Sequence, residues 1–300
     1  SDLLGHYEVV TNWPQPQPGH EEWVWGATVG IVAESPGRVI VAQRGELPRP
    51  KDVKPGWSAI ASVPGKRAEG NNRFEHCLYV VDASGRIVDS WPQWDKMFSG
   101  GRGPHKLAIS PYDPQKHVWV VDDHQHAIYK FTNDGKQLVQ TLGTPNVPGA
   151  DATHFNRPTF MAWMPDGSFY VADGYNGTRV AKFDASGRFL LDFGMPGERG
   201  SETRPGYMNN VHGVAVDVET RRVFVNDREN HRIQIFDENG RYLSEWKIAV
   251  SPSSLHFVQI GADRKLVTFD RNTHKMLKYE LDGRLIYAWG TVSDFPGTLW

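Results

Sequence analysis

The chain of 300 residues holds a single cysteine, Cys77, and only six methionines, and it has neither a long apolar run nor an excess of charge of one sign. One thiol cannot close an internal disulfide or build a cysteine-type zinc site, so Cys77 is expected to pack as a small apolar side chain. No stretch of 18 or more apolar residues is present, and Ser1 to His6 lacks the basic-then-apolar pattern of a secretory leader. A soluble protein without a membrane partner is expected, with cytoplasmic and mature secreted or periplasmic settings both open. Lys and Arg number 33 against 35 Asp and Glu, a formal net charge of −2, which excludes a general attraction for nucleic acid. Helical amphipathic spacing is also missing at any length.

What the chain has instead is 30 Gly, 20 Pro and 35 aromatic residues (11 Trp, 10 Tyr and 14 Phe). Such a composition favours many short strands joined by tight turns. Four segments repeat one another, beginning at His117, Ser168, Arg222 and Lys265, with landmark aromatics Phe131, Phe183, Phe236 and Tyr279 spaced by 52, 53 and 43 residues. A fifth, looser copy runs from Ile31 to Trp91 and carries an insertion at about Glu46 to Glu75. Within a copy the pattern is that of four antiparallel strands, as in Gly213 to Val216, Val223 to Asn226, Ile233 to Phe236 and Tyr242 to Trp246. The last hairpin of each copy carries Asn-Gly, Asp-Gly or Ser-Gly, pairs that tolerate positive φ and predict a tight hairpin. Repeats of this length exceed those of a parallel β-helix and predict an all-β propeller, a single domain over 1–300. Its blade-like repeats are placed at about 26–100, 101–150, 151–205, 206–250 and 251–290, with 291–300 as a lead-in to a further blade.

The repeat consensus (strand, Asp, polar turn, Arg, then Val or Ile and Phe) resembles NHL-repeat propellers. More narrowly, DGYNGTRV and NDRENHRIQ in successive repeats resemble the peptidyl-α-hydroxyglycine α-amidating lyase family, over most of the chain from about His6 to Tyr242. The resemblance implies a six-bladed propeller with a channel zinc held by three His from alternate blades and a structural calcium deeper in.

His105 in GPHKLAIS and His212 in NVHGVAVD occupy the same repeat position, at the entry to a first strand, with Thr159 at that place between them. First strands line a propeller's channel, so the two imidazoles are expected to converge on one metal. The alternative is a pair of channel-lining His bonded to water or backbone. His256 is one residue out of register, which turns a strand side chain to the opposite face, and is read as structural. His117, His124, His126, His231 and His274 are expected at strand starts or outer turns, in solvent. Asp122, Asp173, Asp227 and Asp270 recur in nearly every repeat and are read as turn-forming.

Tyr175 and Arg228 fall in the turn after the second strand of adjacent repeats. The family resemblance implies a catalytic Tyr and a substrate-binding Arg at these places, and a further site Arg at Arg44. A phenol with a pKa of about 10 is a poor base at neutral pH unless a cation or metal stabilises its phenolate, and an adjacent guanidinium can do so. For Tyr175 the alternative is surface packing, and for the Arg residues carboxylate pairing within blades. Arg271 shares Arg228's repeat position without a family role. The implied reaction cleaves the carbon–nitrogen bond of a small or peptidyl α-hydroxy amide to an amide and glyoxylate. A propeller lactonase or hydrolase, and an NHL scaffold binding protein or RNA, are the competing readings. The family's third His and its calcium-binding Asp belong to a sixth blade, and HYEVV near the start resembles the strand that closes such a ring. With five repeats countable, a chain cut short of that blade is expected; a blade from another chain and a five-bladed ring are the alternatives.

Overall fold

The computed structural model describes residues 13–48, 73–99, 101–248 and 253–290. The HYEVV stretch, most of the predicted insertion and the 291–300 lead-in lie outside them. Among the described residues there are five four-stranded antiparallel sheets, in the arrangement of a β-propeller. Blade 1 is Thr28–Ser35, Arg38–Gln43, Leu78–Val81 and Ile87–Ser90. Blade 2 is Lys106–Ile109, Val118–Asp122, Ala127–Phe131 and Leu138–Leu142. Blade 3 is Pro158–Trp163, Phe169–Asp173, Arg179–Phe183 and Phe189–Phe193. Blade 4 is Val211–Asp217, Arg222–Asp227, Arg232–Asp237 and Tyr242–Lys247. Blade 5 is Gln259–Ile260, Leu266–Asp270, Lys275–Tyr279 and Leu285–Trp289. No helix of the described residues is long and apolar enough to cross a membrane.

Core packing lies between blades. Leu78 and Val80 of blade 1 pack with Val118, Val120 and Phe131 of blade 2. Trp119 and Val121 pack with Phe169 and Val171, Tyr170 and Val180 with Val214 and Val225, and Phe224 and Ile235 with Leu266 and Leu277. In blades 1 to 4 the second and third strands are buried almost throughout, and a second strand such as Val118–Asp122 reads as a continuous apolar run, whereas both alternate in blade 5. Fourth strands alternate, as Phe189–Phe193 does, because one face meets water. First strands of successive blades pack against one another, which puts their entry residues around one axis.

The third-to-fourth strand hairpins are tight, as expected, and each carries a glycine at positive φ. In blade 3 the Gly187 amide bonds the Asp184 carbonyl at 2.9 Å, and the strands re-pair through the Asp184 amide and the Arg188 carbonyl. That is a three-residue loop with its last residue, Gly187, at φ +86°. Asp184 explains the preference: its Oδ1 accepts from the amides of Ser186 and Arg188, 2.9 and 3.0 Å away.

The recurrent Asp does more than form a turn. Asp173 accepts from the amide of Asn156, in the entry to its own blade's first strand, and pairs with the Arg179 guanidinium at 3.0 Å. Asp227 does the same with Asn209 and Arg232. Arg179 and Arg232, both buried, reach onward to Asp192 and Glu245 and to loop carbonyls. In blades 3 and 4 this Asp–Arg staple ties the loop entering the blade to its second, third and fourth strands; blade 2 has Ala127 and blade 5 Lys275 at the Arg place. Cys77 is fully buried, as expected, and burial pushes its thiol pKa up. His117 departs from expectation. It is buried against Asp113, with its ring Nδ1 2.7 Å from the carboxylate, because the 110–117 turn folds back over the strand start.

Candidate active site around Tyr175

His105 and His212 stand at the entries to the first strands of blades 2 and 4, and both are buried. Two residues before each, the backbone takes a left-handed conformation, Gly103 at φ +82° and Asn210 at +60°. The equivalent residue of blade 3, Arg157, is at +66°. That kink turns the next side chain but one toward the axis. The two imidazole centroids lie 5.3 Å apart. Tyr175 enters between them from the loop after Phe169–Asp173, its hydroxyl 2.9 Å from His212 Nε2 and 3.2 Å from His105 Nε2. Phe160 closes the apolar side against both rings.

The protonation pattern follows from the partners. His105 Nδ1 lies 3.2 Å from the Thr159 carbonyl and His212 Nδ1 lies 2.6 Å from the His256 carbonyl. Burial pushes the His105 pKa down to about 3 and that of His212 well below its usual value, so both rings are neutral at pH 7. A carbonyl only accepts, so each neutral ring carries its proton on Nδ1 and turns an Nε2 lone pair inward. Tyr175 has one hydroxyl proton for two lone pairs. Among the described residues one buried imidazole nitrogen is therefore left without a donor, and two inward lone pairs with each Nδ1–H oriented by a carbonyl suit a Lewis acid such as zinc.

His256 is placed differently from its structural reading. Its backbone orients His212, its ring centroid is 5.5 Å from that of His212, and its Nε2 is buried without a hydrogen-bond partner among the described residues. The one-residue slip fails to turn it away because Leu255 makes only an isolated bridge to Asp270, before the regular first strand begins. Of the other imidazoles, His124 and His231 are exposed and His126 and His274 half-buried.

Three guanidiniums surround the phenol. Arg228, half-buried at the start of a short 3-10 turn after Arg222–Asp227, sits over the Tyr175 ring at 5.3 Å, and its Nε is buried without a hydrogen-bond partner among the described residues. Arg44, just after Arg38–Gln43, donates from Nε to the Pro104 carbonyl at 3.1 Å and lies 3.5 Å from Asp123. Burial lowers its pKa, while the charges of Asp123 and Tyr175 act the other way. Arg157 was not singled out from the sequence, yet it sits over the Tyr175 ring at 4.6 Å and pairs with the buried Asp123. Both missed residues carry a repeat-level signal. Asp123 takes the place filled by Gly174 in blade 3 and Arg228 in blade 4, and Arg157 is the charged member of the Gly103, Arg157, Asn210 series. Arg271 is exposed, so its repeat position alone does not bring it here.

Gly174 sets how closely Tyr175 can approach. A Cβ on it would fall 1.5 Å from the Val211 carbonyl oxygen, beside His212. The loop therefore needs glycine there for contact, since its φ is not left-handed.

A family model for the NHL repeat matches residues 208–236, which contain His212, Arg228 and the Asp227–Arg232 staple. The chain is a β-propeller that carries an NHL repeat. Among relatives, it is 35% identical over 133 residues to a protein of Caenorhabditis elegans named probable peptidyl-alpha-hydroxyglycine alpha-amidating lyase pgal-1, covering 44% of this propeller and 36% of that protein. It is 28% identical over 266 residues to the NHL repeat-containing protein 3 of Mus musculus, covering 85% of this propeller and 65% of that protein. The propeller thus spans little more than a third of the worm lyase and just under two thirds of the mouse protein. Among solved structures, the virginiamycin B lyase of Staphylococcus aureus has the same fold, with a TM-score of 0.54 at 16% identity, covering 87% of this propeller and 69% of that chain.

Proposed function

We propose that this propeller is a metal-dependent lyase acting on an α-hydroxyglycine-type substrate, breaking its carbon–nitrogen bond to give an amide and glyoxylate. The single observation that carries the reading is the Tyr175 hydroxyl held between two neutral, inward-facing imidazole nitrogens. Similarity to a relative named as an amidating lyase supports it, and the side chains at the site set the chemistry.

His105 and His212 would hold the zinc. When bound, the ion supplies Lewis acidity toward the substrate hydroxyl. Tyr175, as phenolate, takes the proton from that hydroxyl. The oxygen's electron pair then forms the carbonyl of glyoxylate as the carbon–nitrogen bond breaks, and the departing amide nitrogen takes up a proton. Arg44, Arg157 and Arg228 bind and orient the substrate carboxylate, a planar anion suited to guanidinium pairing. Phe160 keeps water from the imidazole side. A structural calcium is proposed with the family, with no residue of this chain assigned to it. A small or peptidyl α-hydroxy amide is the proposed substrate class.

The reading is tested by glyoxylate release from a peptidyl α-hydroxyglycine, with zinc content measured alongside. Tyr175→Phe should abolish release while zinc is retained. Undiminished release by that variant would overturn the base assignment.

A further inference from the structure

A second group of metal-type side chains lies away from Tyr175, where the segment preceding blade 1 packs on that blade. His20, Glu75 and His76 each offer a ligand atom, and these atoms all lie within 4.8 Å of one another. His20 comes from the turn before Trp23–Trp25, whereas Glu75 and His76 lead into Leu78–Val81. The His20 and His76 rings meet edge to face, with centroids 5.4 Å apart.

Each imidazole is oriented from behind. Both oxygens of Glu46, a buried carboxylate, lie 2.9 to 3.0 Å from His20 Nδ1. An ionised carboxylate only accepts, so His20 carries a proton on Nδ1 and turns its Nε2 lone pair toward the group. His76 Nδ1 is 2.6 Å from the Ser90 hydroxyl, leaving its Nε2 to face the Gln17 side-chain amide at 2.8 Å. The Gln17 Oε1, meanwhile, is buried with no hydrogen-bond partner among the described residues. An amide nitrogen only donates, so the contact places the His76 Nε2 lone pair toward the group, with the ring proton on Nδ1 facing the Ser90 hydroxyl.

We infer that His20, His76 and Glu75, with Glu46 orienting His20 and the Gln17 amide in reach, form a binding site for a divalent transition-metal ion of the zinc class. Two imidazoles and a carboxylate suit zinc, cobalt or nickel better than magnesium or calcium, which take oxygen ligands. The local charge agrees. Glu46 and Glu75 bring two negative charges against the one positive charge of Arg73, which bonds Glu75 and lies over Trp23 at 4.9 Å. A carboxylate behind a ligating imidazole is the usual outer-shell arrangement of metal sites. Bound there, the ion would cross-link the segment preceding blade 1 to the blade itself, a structural role.

The site does not depend on the lyase reading, and its test separates the two. His105→Ala/His212→Ala removes the channel ligands. That variant, stripped with chelator and titrated with zinc alone, should still bind one equivalent and show a zinc-dependent rise in Tm. Adding His20→Ala and His76→Ala should abolish both. Glu75 is half-buried and Gln is isosteric with it, so Glu75→Gln leaves packing intact, and in the same background it should weaken zinc binding at least tenfold. Zinc binding unchanged by Glu75→Gln, or no zinc binding by the channel double variant, would overturn the site.

Discussion

The carbonyl oxygen of Val211 occupies the space that a β-carbon on Gly174 would need. One contact between blades 3 and 4 therefore sets the depth at which Tyr175 reaches His212. Gly174→Ala must push the loop outward, because the obstacle is backbone. Overpacking of this kind costs about 1–3 kcal/mol. Glyoxylate release should fall far more than stability does, and chemical denaturation beside an activity assay reads both. Activity close to that of the parent would show that the loop relaxes without moving the phenol.

Asp123 holds two of the three guanidiniums around the phenol while itself fully buried. Removing one partner of a buried ion pair leaves the others uncompensated. Asp123→Ala is expected to cost about 3 kcal/mol in urea denaturation. With Arg44 and Arg157 released, KM for a substrate bearing a carboxylate should rise more than kcat falls. A fall in kcat alone would separate these residues from substrate binding.

The Asp227–Arg232 staple gives a prediction about the repeat itself. Arg232 is buried, reaches Asp227 and Glu245 at 2.8 Å each, and caps the Tyr207 carbonyl. Arg232→Ala leaves a buried carboxylate unpaired and should cost about 3–5 kcal/mol. Arg188, which pairs with Asp184 at the exposed hairpin of blade 3, should cost well under 1 kcal/mol when replaced. Equal costs for the two would remove the staple as a special source of stability in blades 3 and 4.

Asp122 gives the molecule a pH dependence with a definite sign. Burial pushes its carboxyl up to about 7, against the amides of Gln125 and His124 that bond its Oδ1, and its Oδ2 has no partner among the described residues. Between pH 7 and the ordinary carboxyl range near 4, the folded state holds a proton that the unfolded state has released. Its contribution to stability therefore grows as pH falls from 8 to about 4. The stability difference between the parent and Asp122→Asn, followed by urea midpoints at pH 8, 6 and 4.5, should shift toward the parent as pH falls. A difference constant with pH would mean the carboxyl is ionised throughout.

The sequence by itself determined the blades. A four-stranded unit repeated every 43 to 53 residues follows from local patterning and turn chemistry, and so do the strand positions and the shared register of His105 and His212. Those features depend on neighbours close in the chain, where periodicity carries the information. Even there, hairpin geometry was legible only to the level of a tight turn. Whether Asp-Ala-Ser-Gly closes with two or three residues depends on the Asp184 side chain bonding amides ahead of it.

Only the tertiary structure decided what meets at the axis. Asp123 and Arg157 lie 34 positions apart and become partners because successive blades bring their loop ends around one centre. His256 joins His212 because its segment enters blade 5 irregularly, a detail a fixed register cannot express. The proton count around Tyr175, one hydroxyl for two lone pairs, exists only once Thr159 and His256 have each presented a carbonyl to an imidazole from the neighbouring blade. A repeat specifies where each loop leaves its sheet; the closing of blades around a common axis specifies which loops share a charge, a proton or an ion.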